Sequence, residues 1–357
     1  MRIAQVAPLY ESVPPQLYGG TERIVSYITE ELVALGHEVT LYAAGDSKTK
    51  AKLVSVCPES LRLAKGCIDT LSHHQVMLEM ISRDFPRYDI IHFHIDYLHF
   101  LTSRLLGLRT LTTLHGRLDI PDLKPLYAAF PDMPVVSISD SQRRPLPEAN
   151  WAGTVKHGLP EQLLPFTPEP KDYFAFVGRI SPEKRVDRAI EIATALGVKL
   201  RVAAKVDNAD RQYFEREIEP LFKNPLVEYI GEIGESDKAE FVGKARALLF
   251  PIDWPEPFGL VMIEAMACGT PVVAFNHGSV PEVMKDGVTG FIVHDMPGAI
   301  AAARRVGELD REKVRGHFEQ CFTAARMARD YVKLYERTIA EADRNMTDRE
   351  SGEVNAA

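Results

Sequence analysis

The chain has 357 residues, 45% of them hydrophobic and 26% charged, the make-up of a soluble globular protein of about two domains. Against 50 Asp and Glu stand 42 Lys and Arg, and the formal net charge of -8 argues against a nucleic-acid partner. No run of about 18 apolar residues is present to cross a membrane. The four cysteines (Cys57, Cys67, Cys268, Cys321) form no Cys-x-x-Cys pair and read as thiols of a reducing compartment. The N-terminal apolar run is too short for a secretion signal, so a cytoplasmic protein is expected.

Residues 2–9 read as a buried strand, followed by a loop rich in Pro and Gly that ends at Gly19-Gly20. Ile24, Ile28, Leu32 and Leu35 then recur at helical spacing, and Gly36 stops the helix. The next strand covers 38–44, so the chain opens as strand, loop, helix, strand, the start of a doubly wound parallel sheet. Short apolar strands follow over 90–93, 110–114 and 135–138, with a helical stretch over 71–85 between some of them. Residues 158–172 contain four prolines and read as a linker or hinge. Beyond them the alternation restarts, with strands over 173–177, 200–204, 227–229, 247–250 and 272–274. Helices are expected over 185–196, 211–221, 236–245 and 260–267, and a long final helix over about 318–342. Two α/β sheets in tandem place their strand C-terminal ends where ligands of such sheets bind. The polar residues 346–357 read as a disordered tail.

Several residues stand at those strand ends. Glu256 and Glu264 bracket Glu-Pro-Phe-Gly-Leu-Val-Met-Ile-Glu, a loop running into a short helix. Ionised carboxylates accept paired hydrogen bonds and suit sugar or ribose hydroxyls, although a capped helix with an acid at each end is the plainer reading. Arg179 and Lys184 follow the first strand of the second half and precede a helix. Cations there are electrostatically awkward unless an anion lies between, which points to phosphate. Gly19-Gly20 at the matching place in the first half fits either a phosphate loop or an ordinary turn. His115 follows a strand directly, as a cleft residue or a hydrogen-bonded structural one. His92 and His94 share a strand face, but no third metal ligand accompanies them, so metal binding is set aside. His157-Gly158 and Gly278 to Glu282 read as turns.

Together these motifs resemble the retaining glycosyltransferases of family 4. The matching pieces are Tyr-Gly-Gly-Thr-Glu-Arg, Asp-Ile-Ile-His-Phe-His, Thr-Leu-His115-Gly, Val-Gly-Arg179-Ile-Ser-Pro-Glu-Lys184, the Glu256 to Glu264 block continuing through Ala-Met-Ala-Cys-Gly-Thr-Pro-Val-Val, and Asp-Gly-Val-Thr-Gly-Phe-Ile-Val. The resemblance implies the GT-B fold: two facing Rossmann-like, doubly wound α/β domains with an interdomain cleft. Its acceptor-side domain would be residues 1–158 plus a returning helix at 329–345, and its donor-binding domain residues 159–328. It implies transfer of a hexose from a nucleoside diphosphate sugar, UDP favoured over GDP, to an acceptor hydroxyl with an α linkage and no metal or other cofactor. Arg179 and Lys184 would hold the diphosphate, Glu264 the ribose, and Glu256 the hexose. The backbone N–H groups of Phe258, Gly259 and Leu260 would lie near sugar and phosphate, His115 beside the transferred sugar, and Gly19 and Gly20 over the phosphate. The acceptor, whether lipid, glycan or small metabolite, stays open, and with it a peripheral contact at the inner face of the membrane. An epimerase or phosphorylase of the same architecture, or a non-catalytic sugar-nucleotide binder, are the competing readings.

Overall fold

A computed structural model describes residues 1–16 and 19–354, without the side chains of Ser236 and of residues 345–354. The chain divides into two compact units. One comprises Met1–Ile138, Arg143–Lys156 and the chain from Ala324 onward; the other comprises Ser139–Gln142 and His157–Thr323.

The first unit holds a seven-stranded parallel sheet: β1 (Arg2–Val6), β2 (Glu38–Ala43), β3 (Lys52–Ser55), β4 (Ile90–Phe93), β5 (Thr110–Thr113), β6 (Val135–Ser137) and β7 (Trp151–Thr154). They lie in the order β3-β2-β1-β4-β5-β6-β7. The strand order reverses between β1 and β4, which pair in parallel with Ile3 opposite Ile90 and Val6 opposite Phe93. The helix Gly20–Ala34 buries Ile24, Ile28 and Leu32, and the helix Thr70–Asp84 is capped by Asp69, whose carboxylate accepts from Leu71 N at 2.9 Å.

The second unit holds β8 (Tyr173–Arg179), β9 (Lys199–Lys205), β10 (Val227–Gly231), β11 (Ala247–Phe250), β12 (Val272–Phe275) and β13 (Gly290–Val293), in the order β10-β9-β8-β11-β12-β13 and all parallel. Every residue of β11 and β12 is buried. Helices cover both faces of such a sheet, so its central strands read as unbroken apolar runs rather than alternating ones. The core joins these strands to the helices Val186–Leu196 and Met296–Arg305. Here the reversal falls between β8 and β11.

Three strands escaped the sequence pattern: β3, β7 and β13. Each lies at a sheet edge and is only four residues long; β3 and β7 have no fully buried residue and lack the apolar run by which central strands are recognised, whereas β13, Gly-Phe-Ile-Val, is apolar but short. The proline-rich segment is not a free hinge. Leu159 and Leu164 are buried, Thr167 N donates to Cys268 O at 3.0 Å, and the Arg315 guanidinium donates to the carbonyls of Glu161 and Leu164, each at 2.9 Å. The chain passes between units at Ile138–Ser139, Gln142–Arg143, Lys156–His157 and Thr323–Ala324. The single final helix expected from the pattern is two helices, Arg311–Cys321 and Ala324–Val354. They part at Phe322, whose ring packs near Phe258 and whose carbonyl accepts from Leu159 N at 2.9 Å. The second continues to Val354 through residues expected in a disordered tail; no Pro interrupts them, and positions 355–357 of that expected tail lie outside the described residues.

Candidate active site

The second unit gathers four of the residues singled out in the sequence near one sheet reversal. Arg179 ends β8, and the loop after it carries Lys184 into the helix Val186–Leu196. β11 ends at Phe250, and its loop carries Glu256 into the helix Leu260–Ala267, which bears Glu264. The neighbours β8 and β11 flank the point where the strand order reverses, the place where open α/β sheets take their ligands. The two loops are joined by a hydrogen bond from Asp253 N to Glu183 O at 2.9 Å.

Lys184 and Glu256 form an ion pair. The same Glu256 oxygen accepts from the Trp254 indole at 3.0 Å, and the Lys184 ammonium lies 4.9 Å from the Trp254 ring centre. Glu256 is 8% exposed, so its charge rests on these donors rather than on water. Its backbone is pinned as well: Glu256 O accepts from Ser279 N at 3.0 Å. Gly278 makes that approach possible. A Cβ there would stand 2.3 Å from both the N and the O of Glu256, and its φ of +57° is the left-handed region that favours glycine. The segment expected as a plain turn therefore sets the site's backbone. Its Glu282 carboxylate also accepts from Asp140 N at 2.8 Å and Ser141 N at 2.7 Å.

Arg179 is ringed by acids: Glu183 at 2.5 Å, Asp210 at 3.4 Å and Asp207 at 3.7 Å. Burial pushes the Glu183 carboxyl up, but its own backbone N–H and the Arg179 guanidinium outweigh it and hold it below the usual range. Asp210 goes the other way, raised mainly by burial against the pull of Arg179. Glu264, 4% exposed, takes the Lys238 ammonium on Oε1 at 2.7 Å. Phe258 is core, packed against His157 with ring centres 5.0 Å apart, so any role in a site belongs to its backbone. Gly259 (φ +77°) starts the helix that begins at Leu260; a Cβ there would meet Met262 at 2.8 Å and Phe250 at 3.1 Å.

His115, Gly19 and Gly20 belong to the other unit. Gly20 begins the first helix, and a Cβ on Gly19 would meet Pro15 at 2.8 Å. His115 follows β5 and exchanges a hydrogen bond with His94 at 2.9 Å. Burial lowers its imidazole to about 3, so the ring is neutral near pH 7. His92 is enclosed by Tyr335 and Thr113, each at 2.7 Å, which uses both ring nitrogens. Among the described residues no group of three or more His, Cys, Asp or Glu side chains is arranged to hold a metal ion. Nor, among them, is any helix long and apolar enough to cross a membrane.

The sequence reading missed Lys238, Trp254 and the acids around Arg179. Trp254 lies two residues before Glu256, where an indole donor beside an acid was a usable signal. Lys238 gave none, because its partner is distant in sequence and its helix is polar on most sides.

Comparison with known proteins bears on the family and the fold. Residues 165–316 match the glycosyl transferases group 1 family and residues 18–179 match glycosyltransferase family 4. The chain belongs to this family of glycosyltransferases. A stretch of 135 residues is 36% identical to the D-inositol 3-phosphate glycosyltransferase of Mycolicibacterium paratuberculosis, covering 36% of this chain and 30% of that protein's length. Among solved structures, AviGT4, a glycosyltransferase involved in avilamycin A biosynthesis, superposes with a TM-score of 0.73 at 23% identity, over 96% of this chain and 99% of its own. HepE of Anabaena, solved with UDP and glucose, gives 0.73 at 16% identity, over 94% and 100%. These likenesses define the fold as GT-B, two Rossmann-like units in one chain.

Proposed function

We propose that the chain is a retaining glycosyltransferase that moves a hexose from a nucleoside diphosphate sugar to an acceptor hydroxyl without a metal ion. The observation that carries this reading is the Lys184–Glu256 pair at the strand reversal, beside Arg179. A diphosphate carries more charge than one carboxylate. On donor binding it takes the Lys184 ammonium, and Glu256 is released to accept from hexose hydroxyls. Arg179 turns its fork to the other phosphate oxygens. As the C1–O bond to phosphate breaks, both cations stabilise the charge that gathers on the leaving diphosphate. The acceptor oxygen bonds to C1 from the same face, and its proton passes to the departing phosphate oxygen. Glu264, held by Lys238 through one oxygen, receives the ribose hydroxyls. UDP is the favoured nucleotide, a choice supported by the UDP found with HepE.

The acceptor is a hydroxylated metabolite or glycan rather than a membrane lipid. Arg104 donates to Asp132 at 3.0 Å and Arg109 pairs with Asp343, so the two cations that would form a basic stripe beside exposed Leu105 are neutralised. The polyol phosphate in the name of the mycobacterial relative supports the same class.

A charge-assisted hydrogen bond is worth roughly 1.5–3 kcal/mol, so Lys184→Ala lowers turnover at least about ten-fold. Donor consumption by Lys184→Ala and Glu264→Ala tests this, and wild-type rates in either variant remove the role given to that residue. Nucleoside diphosphate released at the same rate without any acceptor, or an epimerised donor, would replace transfer with another reaction.

A further inference from the structure

Seven side chains in the unit of β1–β7 form one hydrogen-bonded line. It runs His115–His94–Gln5–Tyr335–His92–Thr113–Tyr331, with spacings of 2.9, 2.9, 3.0, 2.7, 2.7 and 2.8 Å in that order. Gln5, His92 and His94 come from β1, β4 and the residue just after β4, Thr113 from β5, and the two tyrosines from the last helix. All but His115 are buried, from 0% exposure for Gln5, His92, Thr113 and Tyr335 to 3% for His94. Burial keeps the His92 and His115 rings neutral. Each neutral imidazole has one N–H and one acceptor nitrogen, and each hydroxyl donates one hydrogen. Each bond of the line needs one donor and one acceptor, so the protons along it are coupled to one another.

The spacings around Tyr335 give the direction. Hydroxyl donors make shorter bonds than amide N–H donors, about 2.7–2.8 Å against about 2.9–3.0 Å. Tyr335 stands 2.7 Å from His92 Nδ1 and 3.0 Å from Gln5 Nε2. The phenol thus donates to His92 and accepts from the Gln5 amide nitrogen. The Gln5 carbonyl then faces His94 Nε2, which must carry the proton. His94 is buried and its ring nitrogens meet His115 and the Gln5 amide, a setting that disfavours the charged ring; with that ring neutral its Nδ1 is the acceptor, and the proton between the two histidines sits on His115 Nε2.

We propose that Gln5, His94 and Tyr335 are positioning residues that hold His115 as the Nε2–H tautomer, so that its Nδ1 is a hydrogen-bond acceptor. The last helix, distant in sequence, thereby decides what His115 carries on Nδ1: a lone pair, suited to a hydroxyl hydrogen, rather than an N–H, suited to phosphate oxygen. This consequence for the sugar rests on the glycosyl-transfer reading above; the tautomer itself does not.

The test is long-range 15N–1H correlation spectroscopy of the ligand-free, full-length protein labelled at histidine nitrogens, with His115→Gln assigning the signals. The expected spectrum has the His115 proton on Nε2 and an unprotonated Nδ1. In Tyr335→Phe the line is cut at its middle, and the His115 signals move toward a mixture of the two tautomers. Gln5→Met makes the same cut from β1 and is expected to give the same mixture, so the test survives if one variant fails to fold. A proton found on Nδ1 overturns the proposal, as does a His115 signal unchanged in the folded variants. If the tautomer is as stated but His115→Gln turns over like the wild type, the line stands and the part given to His115 in transfer falls.

Discussion

Acidification from pH 7.5 to 4.5 is expected to open the unit of β1–β7 ahead of the other. The cause is a set of histidines buried neutral. His99 bonds through both ring nitrogens, to Ser103 and Thr112, each at 2.7 Å, and burial lowers it to about 3. His115 is lowered to about 3 and His92 well below its ordinary value, again by burial. In the unfolded chain each titrates near 6.5. The folded values lie below the unfolded ones, so between them the unfolded state binds more protons, and stability falls as pH falls. Below about pH 6.5, each group shifts the folded-to-unfolded ratio about ten-fold per pH unit. At pH 4.5, His99 and His115 together remove roughly 5 kcal/mol, comparable to the whole stability of a typical domain. Asp96, raised to about 6, and Glu22 and Glu31, all shifted mainly by burial, act with the opposite sign and trim the loss, so the net fall is smaller than the histidines alone give. The carboxyls held low, such as Asp132 beside Arg104, titrate at lower pH and lie outside this window. The two tryptophans report the units separately, since Trp151 lies in one and Trp254 in the other. Urea unfolding of Trp254→Phe, followed through Trp151 at pH 7.5, 5.5 and 4.5, is expected to show a steeply falling midpoint. In a His99→Gln variant that keeps Trp151 the fall should be shallower by about one proton. A Trp151 midpoint that stays level across this range, or a Trp254 midpoint that falls as steeply, refutes the reasoning.

Other substitutions probe the second unit. Gly278→Ala puts a methyl against the Glu256 backbone in a left-handed conformation, at a conformational cost of roughly 1–2 kcal/mol before the clash is counted; a lower melting temperature and a raised donor KM should appear together. Lys238→Met leaves the buried Glu264 charge without its partner and is expected to cost stability, whereas the double variant with Glu264→Gln recovers much of it; a denaturant double-mutant cycle showing no coupling would remove the pair from the account. Arg311 donates to Thr167 O, Ala245 O, Gly243 O and Thr270 Oγ1, so Arg311→Ala should lower the stability of its unit by about 3 kcal/mol, read from the Trp254 transition.

Much of the fold is written in local pattern. Central parallel strands are buried on both faces and are therefore mostly apolar, so β1, β4, β8, β11 and β12 announce themselves in the sequence despite Gln5, His92 and Arg179 within them. Edge strands have no such requirement. β7 is held by something sequence does not display: Gly153 leaves room for Leu334 of the last helix, which would stand 3.1 Å from an added Cβ. The proline-rich stretch misled for a related reason, since proline limits the backbone but does not say whether neighbouring leucines find a core.

The same division holds at the site. Arg179, Lys184, Glu256 and Glu264 were legible because charge at strand ends and helix starts is costly without a purpose, and that cost is local. Their pairing was not. That Lys184 meets Glu256 rather than water, that three acids ring Arg179, and that Lys238 holds Glu264 follow from the adjacency of β8 and β11 and from helices brought together across long separations. A sequence specifies which groups can ionise and donate; only the folded chain fixes which of them share a proton or a charge, because those energies depend on a few tenths of an ångström and on the exclusion of water.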